Sequence, residues 1–459
     1  MTTGAEPFPR GYTDYRAVPL LSRRHHPILF PLHRTGCEGH VMVPPMQLGL
    51  QAFSPYRKQV QHEPVHNTRR TTHTWVLGKS GVGKSTALVR WAIDDIHADD
   101  GVVFFDPHGD AAETILHHIS PRRRGDVLFY NPADREHPIG FNILDSVPED
   151  HRPFIASSVV DAFKSVWGNS WGPQLEMFLY AGIAALLDVP GSTLVGLKFL
   201  ITSQTYRNRV LRHISDPAVR DFWETDFAEH MPEREQRERT LSTLNKIGAL
   251  IADPTIRNSI GQPKTAINFR DILDHQKILI VSLAQGELGI AKSSLLGALL
   301  LSNLHLTALG REERSPVHVY VDECHHFGTT TVTEMLSGIR KFGISLVLAH
   351  QYTEQLPREL QAALIGTVGT IVAFRLGVTD TDILEREFAL TRDDTPFTQL
   401  QPFRAYAKSD DTTWYLYMPE IERARYESSF RKIQNAARFR HASSRAKVEA
   451  RIARFINNT

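Results

Sequence analysis

One nine-residue stretch, Gly78-Lys79-Ser80-Gly81-Val82-Gly83-Lys84-Ser85-Thr86, constrains the fold of this chain more than any other. A glycine, four residues, then Gly-Lys-Ser is the pattern of a loop whose backbone N–H groups wrap around phosphate oxygens. The loop works only between a strand and a helix, because the helix N-terminus adds the positive end of its dipole. Both flanks are readable: residues 75–77 are apolar, and Leu88, Trp91, Ala92 and Ile96 fall on one helical face. Gly78, Gly81, Gly83, Lys84, Ser85 and Thr86 are therefore the candidate nucleotide-binding residues. Lys84 is placed to reach the β- and γ-phosphates and the Ser85 hydroxyl to ligate Mg²⁺, so ATP and Mg²⁺ are the expected ligands.

The pattern around the loop is α/β. A second strand at 102–105 stops at Asp106-Pro107 and a third at 127–130 stops at Asn131-Pro132. Strands end this way when helices cross back over a parallel sheet. From about 150 to 265 the periodicity turns helical, clearest at 174–187 and 241–251, and β-branched runs disappear. Strands resume at 278–283, 317–321, 345–349 and 370–374. Residues 403–407 and 413–418, around Lys408-Ser409-Asp410-Asp411, predict a β-hairpin. With 459 residues the chain is too long for one small core. The expected division is an N-terminal arm or small domain (1–70), an ATPase core (71–149 with 266–420), an inserted all-helical domain (150–265) and a basic helical tail (421–459). Residues 40–50 could hold one or two short strands.

Hydrolysis needs a carboxylate on the Mg²⁺ side and a group to activate water. The apolar run ending in Asp322-Glu323 supplies both: Asp322 for the metal shell and Glu323 for the attacking water. The next strand ends at Gln351, whose amide could touch the γ-phosphate or the lytic water; otherwise it merely ends a strand. Arg340 and Arg375 are candidates to neutralise charge on the γ-phosphate, from the same or a neighbouring subunit, against the reading of ordinary surface cations. Lys84 and Asp322 are 238 residues apart (322 − 84), far more than in small kinases or GTPases. Leu336-Ser337-Gly338 follows the acidic pair instead of preceding it, which excludes an ABC transporter.

The order of "TWVLGKSGVGKST", "VVFFDPHGD", "SWGPQLE", "KILIVSL", "VYVDEC", "IRKFGISLVLAHQ" and "GTIVAFRLG" resembles the HerA/FtsK superfamily, nearest to type IV secretion coupling and TraG-like conjugation ATPases. The resemblance covers roughly residues 70–420. It implies a RecA-like core with a helical lobe, a homo-hexameric ring with a pore for DNA, and a motor that translocates DNA without reading its sequence. It also matches Lys84 and Ser85 to Walker A, Asp322 and Glu323 to Walker B, Gln351 to the sensor glutamine, and Arg340 and Arg375 to arginines near the nucleotide. The chain departs from membrane-bound coupling proteins, which carry N-terminal transmembrane helices, and from HerA, which has a β-barrel before its P-loop.

Lys plus Arg (52) nearly cancels Asp plus Glu (51), so net charge selects no partner. Its distribution does: ten basic residues follow Ile421 against Glu422, Glu427 and Glu449. That tail is either a second DNA contact or a solvated amphipathic face. Two cysteines, Cys37 and Cys324, make no disulfide framework and fit a reducing cytoplasm. No window approaches the roughly 20 apolar residues of a membrane span, so membrane or relaxase partner proteins would hold the chain at a membrane. His33, Cys37 and His40 lack a fourth zinc ligand, and turn chemistry accounts for Asp106–Asp110 as well as a site would. Three other activities stay open: a HerA-like helicase acting with a nuclease, a protein-secretion ATPase that moves no DNA, and a nucleotide-dependent scaffold. The intact Asp322-Glu323 pair argues against the scaffold.

Overall fold

A computed structural model describes residues 46–51, 63–67, 69–392, 394–424 and 426–458, all within one unit spanning 42–459. His33, Cys37 and His40 lie outside the described residues, as does the start of the 40–50 segment. The strands are β1 (Met46–Gln51), β2 (Glu63–Asn67), β3 (Thr74–Leu77), β4 (Gly101–Asp106), β5 (Val127–Tyr130), β6 (Ile278–Ser282), β7 (Val317–Val321), β8 (Ile344–His350), β9 (Thr370–Ala373), β10 (Arg404–Ser409) and β11 (Thr412–Tyr417). They form one eleven-stranded sheet in the order β2-β1-β11-β10-β9-β3-β8-β7-β4-β6-β5.

From β9 to β5 the pairing is parallel, and β10, β11, β1 and β2 extend it antiparallel. The parallel strands are buried along their whole length because both faces are covered. Val103 and Phe105 face one core with Trp75 and Leu77, while Val102 and Phe104 face the other with Val76 and Trp91. The expected α/β class, RecA-like with a mainly parallel sheet and a β10–β11 hairpin, is what the chain adopts.

Helices α1 (Lys84–His97) and α2 (Asp110–His118) cover the second core. Between β5 and β6 the described chain is helical, including α3 (Arg152–Trp167) and α4 (Pro173–Leu187). These helices share the first core: Phe163, Phe178 and Trp223 belong to the same buried cluster as Trp75 and Phe105. The helix Ile290–Leu309 packs against α3 and joins them to the sheet.

At the N-terminal ends of the strands a buried polar network fastens α1 to the sheet. Asp95 accepts from Arg70 and from the Tyr320 hydroxyl, and His318 lies between Asp100 and Ser345. Asp95, Asp100 and His318 have donor spacing that could suit a metal, but Arg70 already neutralises Asp95.

Candidate active site

Every element of the site converges on the C-terminal ends of β3, β8 and β7. These strands are adjacent in the sheet, with β8 between the other two. Parallel strands present their C-terminal ends, and the loops that follow them, on the same side.

The loop after β3 holds three glycines at positive φ: Gly78 (155°), Gly81 (73°) and Gly83 (112°). Gly83 has no room for a side chain, since a Cβ there would lie 2.9 Å from Phe403 Cδ1. The loop is tied to the next strand, where Lys79 N–H donates to the Arg375 carbonyl at 2.9 Å. At the start of α1, Lys84, Ser85 and Thr86 contribute N–H groups that no intrahelical carbonyl can satisfy. Thr86 is half-buried, Ser85 is exposed and Gly81 stands at the exposed loop tip.

The Lys84 ammonium is buried under this loop and donates to the carbonyls of Gly78 (2.7 Å) and Lys79 (3.1 Å). Burial lowers its pKa, partly offset by Glu323 and Asp322. The Ser85 hydroxyl donates to Asp322 Oδ2 at 2.7 Å, across 237 residues of sequence. Burial raises the Asp322 pKa, and the Ser85 hydrogen bond opposes that rise.

Glu323 follows Asp322 in the left-handed region (φ 47°), an uncommon conformation for a residue with a side chain. Its Oε1 accepts from Gln351 Nε2 at 3.0 Å. Its Oε2 is buried and accepts no hydrogen bond. His325 Nδ1 lies 3.6 Å from that oxygen. Gln355 fixes the ring: its Oε1 accepts from the Gln351 and Tyr352 N–H groups, so its amide nitrogen faces His325 Nε2 at 3.4 Å. The proton of a neutral His325 then resides on Nδ1, pointing at Glu323. Burial pushes the His325 pKa down to about 4, helped by His326 and Lys84.

His325 and Gln355 are site neighbours that sequence reasoning missed. So are Phe374 and Phe403, the aromatic wall against Gly78 and Gly83. The adjacency of His325 to the acidic pair was the only available signal for any of them. A cleft of about 260 Å³ lies against the loop, lined by Lys79, Ser80, Gln351, Tyr352, Glu354, Gly377, Thr379 and Asp380.

The two arginines part company. Arg375 lies two residues past the end of β9, the neighbour of β3, with its carbonyl on the phosphate loop, and is half-buried. Arg340 precedes β8, whereas Gln351 follows it, so seven strand residues separate them. At about 3.3 Å per residue that is roughly 23 Å. The Arg340 charge acts instead on His73, at the far end of β3. Arg340 is thus not brought to its own chain's phosphate loop. Asp106 is spent locally, accepting from the His108 and Ala112 N–H groups at the start of α2, as its turn chemistry implied.

No protein-family model matches the sequence, and no curated protein does. Solved structures do. The plasmid coupling protein TrwB in complex with ADP and Mg²⁺ aligns with a TM-score of 0.57 at 17% identity, covering 86% of this chain and 99% of that one. VirB4 of Thermoanaerobacter pseudethanolicus aligns with a TM-score of 0.57 at 17% identity, covering 84% and 98%. The fold is that of TrwB and VirB4. The bacterial conjugative coupling protein TrwBdeltaN70 aligns with a TM-score of 0.56 at 15% identity, covering 85% of this chain and 96% of that one.

The residues present suit a magnesium nucleotide. A Cβ at Gly78 or Gly83 would clash with Phe374 or Phe403, Lys84 rests on carbonyls that a phosphate could replace, and Ser85 with Asp322 forms a hard oxygen pair of the kind Mg²⁺ prefers. Among the described residues, no helix is long and apolar enough to cross a membrane.

Proposed function

We propose that this chain is an ATP hydrolase that drives DNA translocation, in the manner of a conjugative coupling protein. The observation that carries the reading is the convergence of Ser85 on Asp322 and of Gln351 on Glu323 at adjacent strand ends. Magnesium bound there would neutralise phosphate charge and orient the nucleotide. Lys84 would move from the Gly78 and Lys79 carbonyls to the β- and γ-phosphates. Ser85 and Asp322 would hold the metal shell. Glu323 would take the proton of the attacking water at Oε2, the oxygen left unpaired, while Gln351 holds Oε1. The strained backbone at Glu323 supports this role, because such strain collects at functional positions.

Arg375, beside the phosphate loop, fits a charge-stabilising role in its own subunit. Arg340, at the other end of β8, fits one only across an interface. That arrangement favours a ring, for which a homo-hexamer is the expected size. The chain would work in the cytoplasm or at the inner face of a membrane, held there by membrane or relaxase partners. Conjugative transfer is the first choice of pathway. The nucleotide-site geometry that carries this reading serves a DNA or a protein cargo alike, so a motor that moves protein instead of DNA is the second reading.

Steady-state ATP hydrolysis with and without single- and double-stranded DNA separates these readings, measured beside Glu323→Gln. A DNA motor gives DNA-stimulated turnover that falls by about 10²-fold or more in the variant, since a positioned base contributes that much. Turnover that needs Glu323 but ignores DNA moves the assignment to protein transport.

A further inference from the structure

The last two helices, Ser429–His441 and Arg445–Asn457, turn their apolar faces inward. Ile433 and Ala437 are buried in the core with α2 and β5, and Val448 and Ile452 are buried where Phe455 meets the Phe199 and Tyr206 rings. The outward faces are different in kind. Phe439 is 91% exposed, and the next of the exposed large apolar side chains, Val378, reaches only 73%. Lys432 and Phe439 are seven residues apart on one outward stripe, and Arg431, also exposed, faces away from the buried Ile433. On the final helix Lys447, Arg451 and Arg454 recur at i, i+4 and i+7, another single stripe.

Inward-leaning cations of the same helices have acidic partners: Arg438 pairs with Asp134, and Arg445 with Glu136 and Glu449. The outward five, Arg431, Lys432, Lys447, Arg451 and Arg454, have no acidic partner among the described residues. Arg454 reaches only the Ala450 carbonyl, whereas Arg440 turns inward to the Gly125 carbonyl. Unpaired charge of one sign beside an exposed ring on the first helix, continued as a second basic stripe on the last, is the combination that holds a phosphate backbone while stacking an unpaired base. A duplex offers no free base face to such a ring. An anionic membrane surface would need a broad apolar face, and here that face is the buried one.

We propose that the outward face of these two helices binds single-stranded nucleic acid, with Phe439 as the stacking residue and the two basic stripes as phosphate contacts. This rests on the DNA reading above but concerns a surface built apart from the ATP site. The test uses the full chain, a labelled oligothymidine, a blunt duplex and phosphatidylserine vesicles. Phe439→Ala should weaken oligothymidine binding about tenfold and leave duplex binding and DNA-free ATP hydrolysis unchanged. Arg431→Gln/Lys432→Gln/Arg451→Gln should flatten the slope of log affinity against log salt by about 2, at about 0.7 per lost phosphate contact. Either variant behaving like the native chain overturns the surface while the DNA reading stands. A native chain that binds no DNA at all ends both. Vesicle binding that Phe439→Ala abolishes while oligothymidine binding persists would mark the face as a membrane contact and overturn the proposal.

Discussion

At the scale of single residues, the phosphate loop shows how little freedom the site leaves. Gly83 and Gly81 both have positive φ, but they differ in surroundings: a Cβ on Gly81 would meet nothing within 4 Å, whereas one on Gly83 would meet Phe403 at 2.9 Å. Gly81→Ala should therefore add only backbone strain, about 1–2 kcal/mol. Gly83→Ala adds the clash and should weaken ADP binding at least about tenfold more than Gly81→Ala, a difference of about 1.4 kcal/mol, measurable by calorimetric titration. If the two variants bind ADP alike, the aromatic wall does not shape the loop. Lys84, Ser85, Asp322 and Glu323 were legible from sequence because their chemistry demands fixed residue types at fixed local spacing. Phe403, His325 and Gln355 were not, because they reach the site through the fold and share no local pattern.

Among the elements, β3 and β8 carry a consequence for pH. His73, just before β3, and His350, at the end of β8, are both fully buried and neutral. Trp75 N–H donates to His350 Nε2 at 2.7 Å, so Nδ1 carries the proton and donates to the Tyr352 carbonyl at 3.1 Å. Burial lowers the pKa of His73 to about 4 and of His350 to about 3. In the unfolded chain both return to about 6.5, so the unfolded state takes up protons first as pH falls. Their stability contribution is complete above pH 6.5 and is lost as pH drops toward 4 and 3. At pH 5 each should cost about 2 kcal/mol relative to pH 7. The first urea unfolding midpoint should fall accordingly. His350→Gln should lose less over the same interval, by about its own 2 kcal/mol share, and equal losses would refute the assignment. Strand existence was readable from apolar runs such as 127–130 and 317–321, which the structure places at Val127–Tyr130 and Val317–Val321. Strand order was not: β3 pairs with β8 and β9 across more than half the chain, and such pairing leaves no trace in local periodicity. β1 and β2, which lengthen the sheet beyond the hairpin, had only the short apolar stretch near 40–50 to announce them.

At the scale of the whole molecule, the two arginines make opposite demands on assembly. Arg375 touches the phosphate loop of its own chain through its backbone, so its side chain can serve that loop without a second subunit. Arg340 lies roughly a full strand length away, at about 3.3 Å per residue of β8. No rotamer of one side chain spans that distance, so Arg340 can assist hydrolysis only at a neighbour's site. Mixed assemblies distinguish the cases. Arg340→Ala and Lys84→Ala subunits should each be inactive alone, by about 10³-fold or more for a lost arginine finger. Mixed together, an Arg340→Ala subunit keeps an intact phosphate loop and receives Arg340 from its Lys84→Ala neighbour, so part of the activity should return. The same mixture made with Arg375→Ala should stay inactive, because Arg375 serves the loop of its own chain and every site then lacks either Lys84 or Arg375. Recovery in the Arg375 mixture, or none in the Arg340 mixture, would reverse the assignment of which arginine crosses the interface. Full activity of both single variants would remove arginine assistance altogether and, with it, the argument that hydrolysis requires a ring.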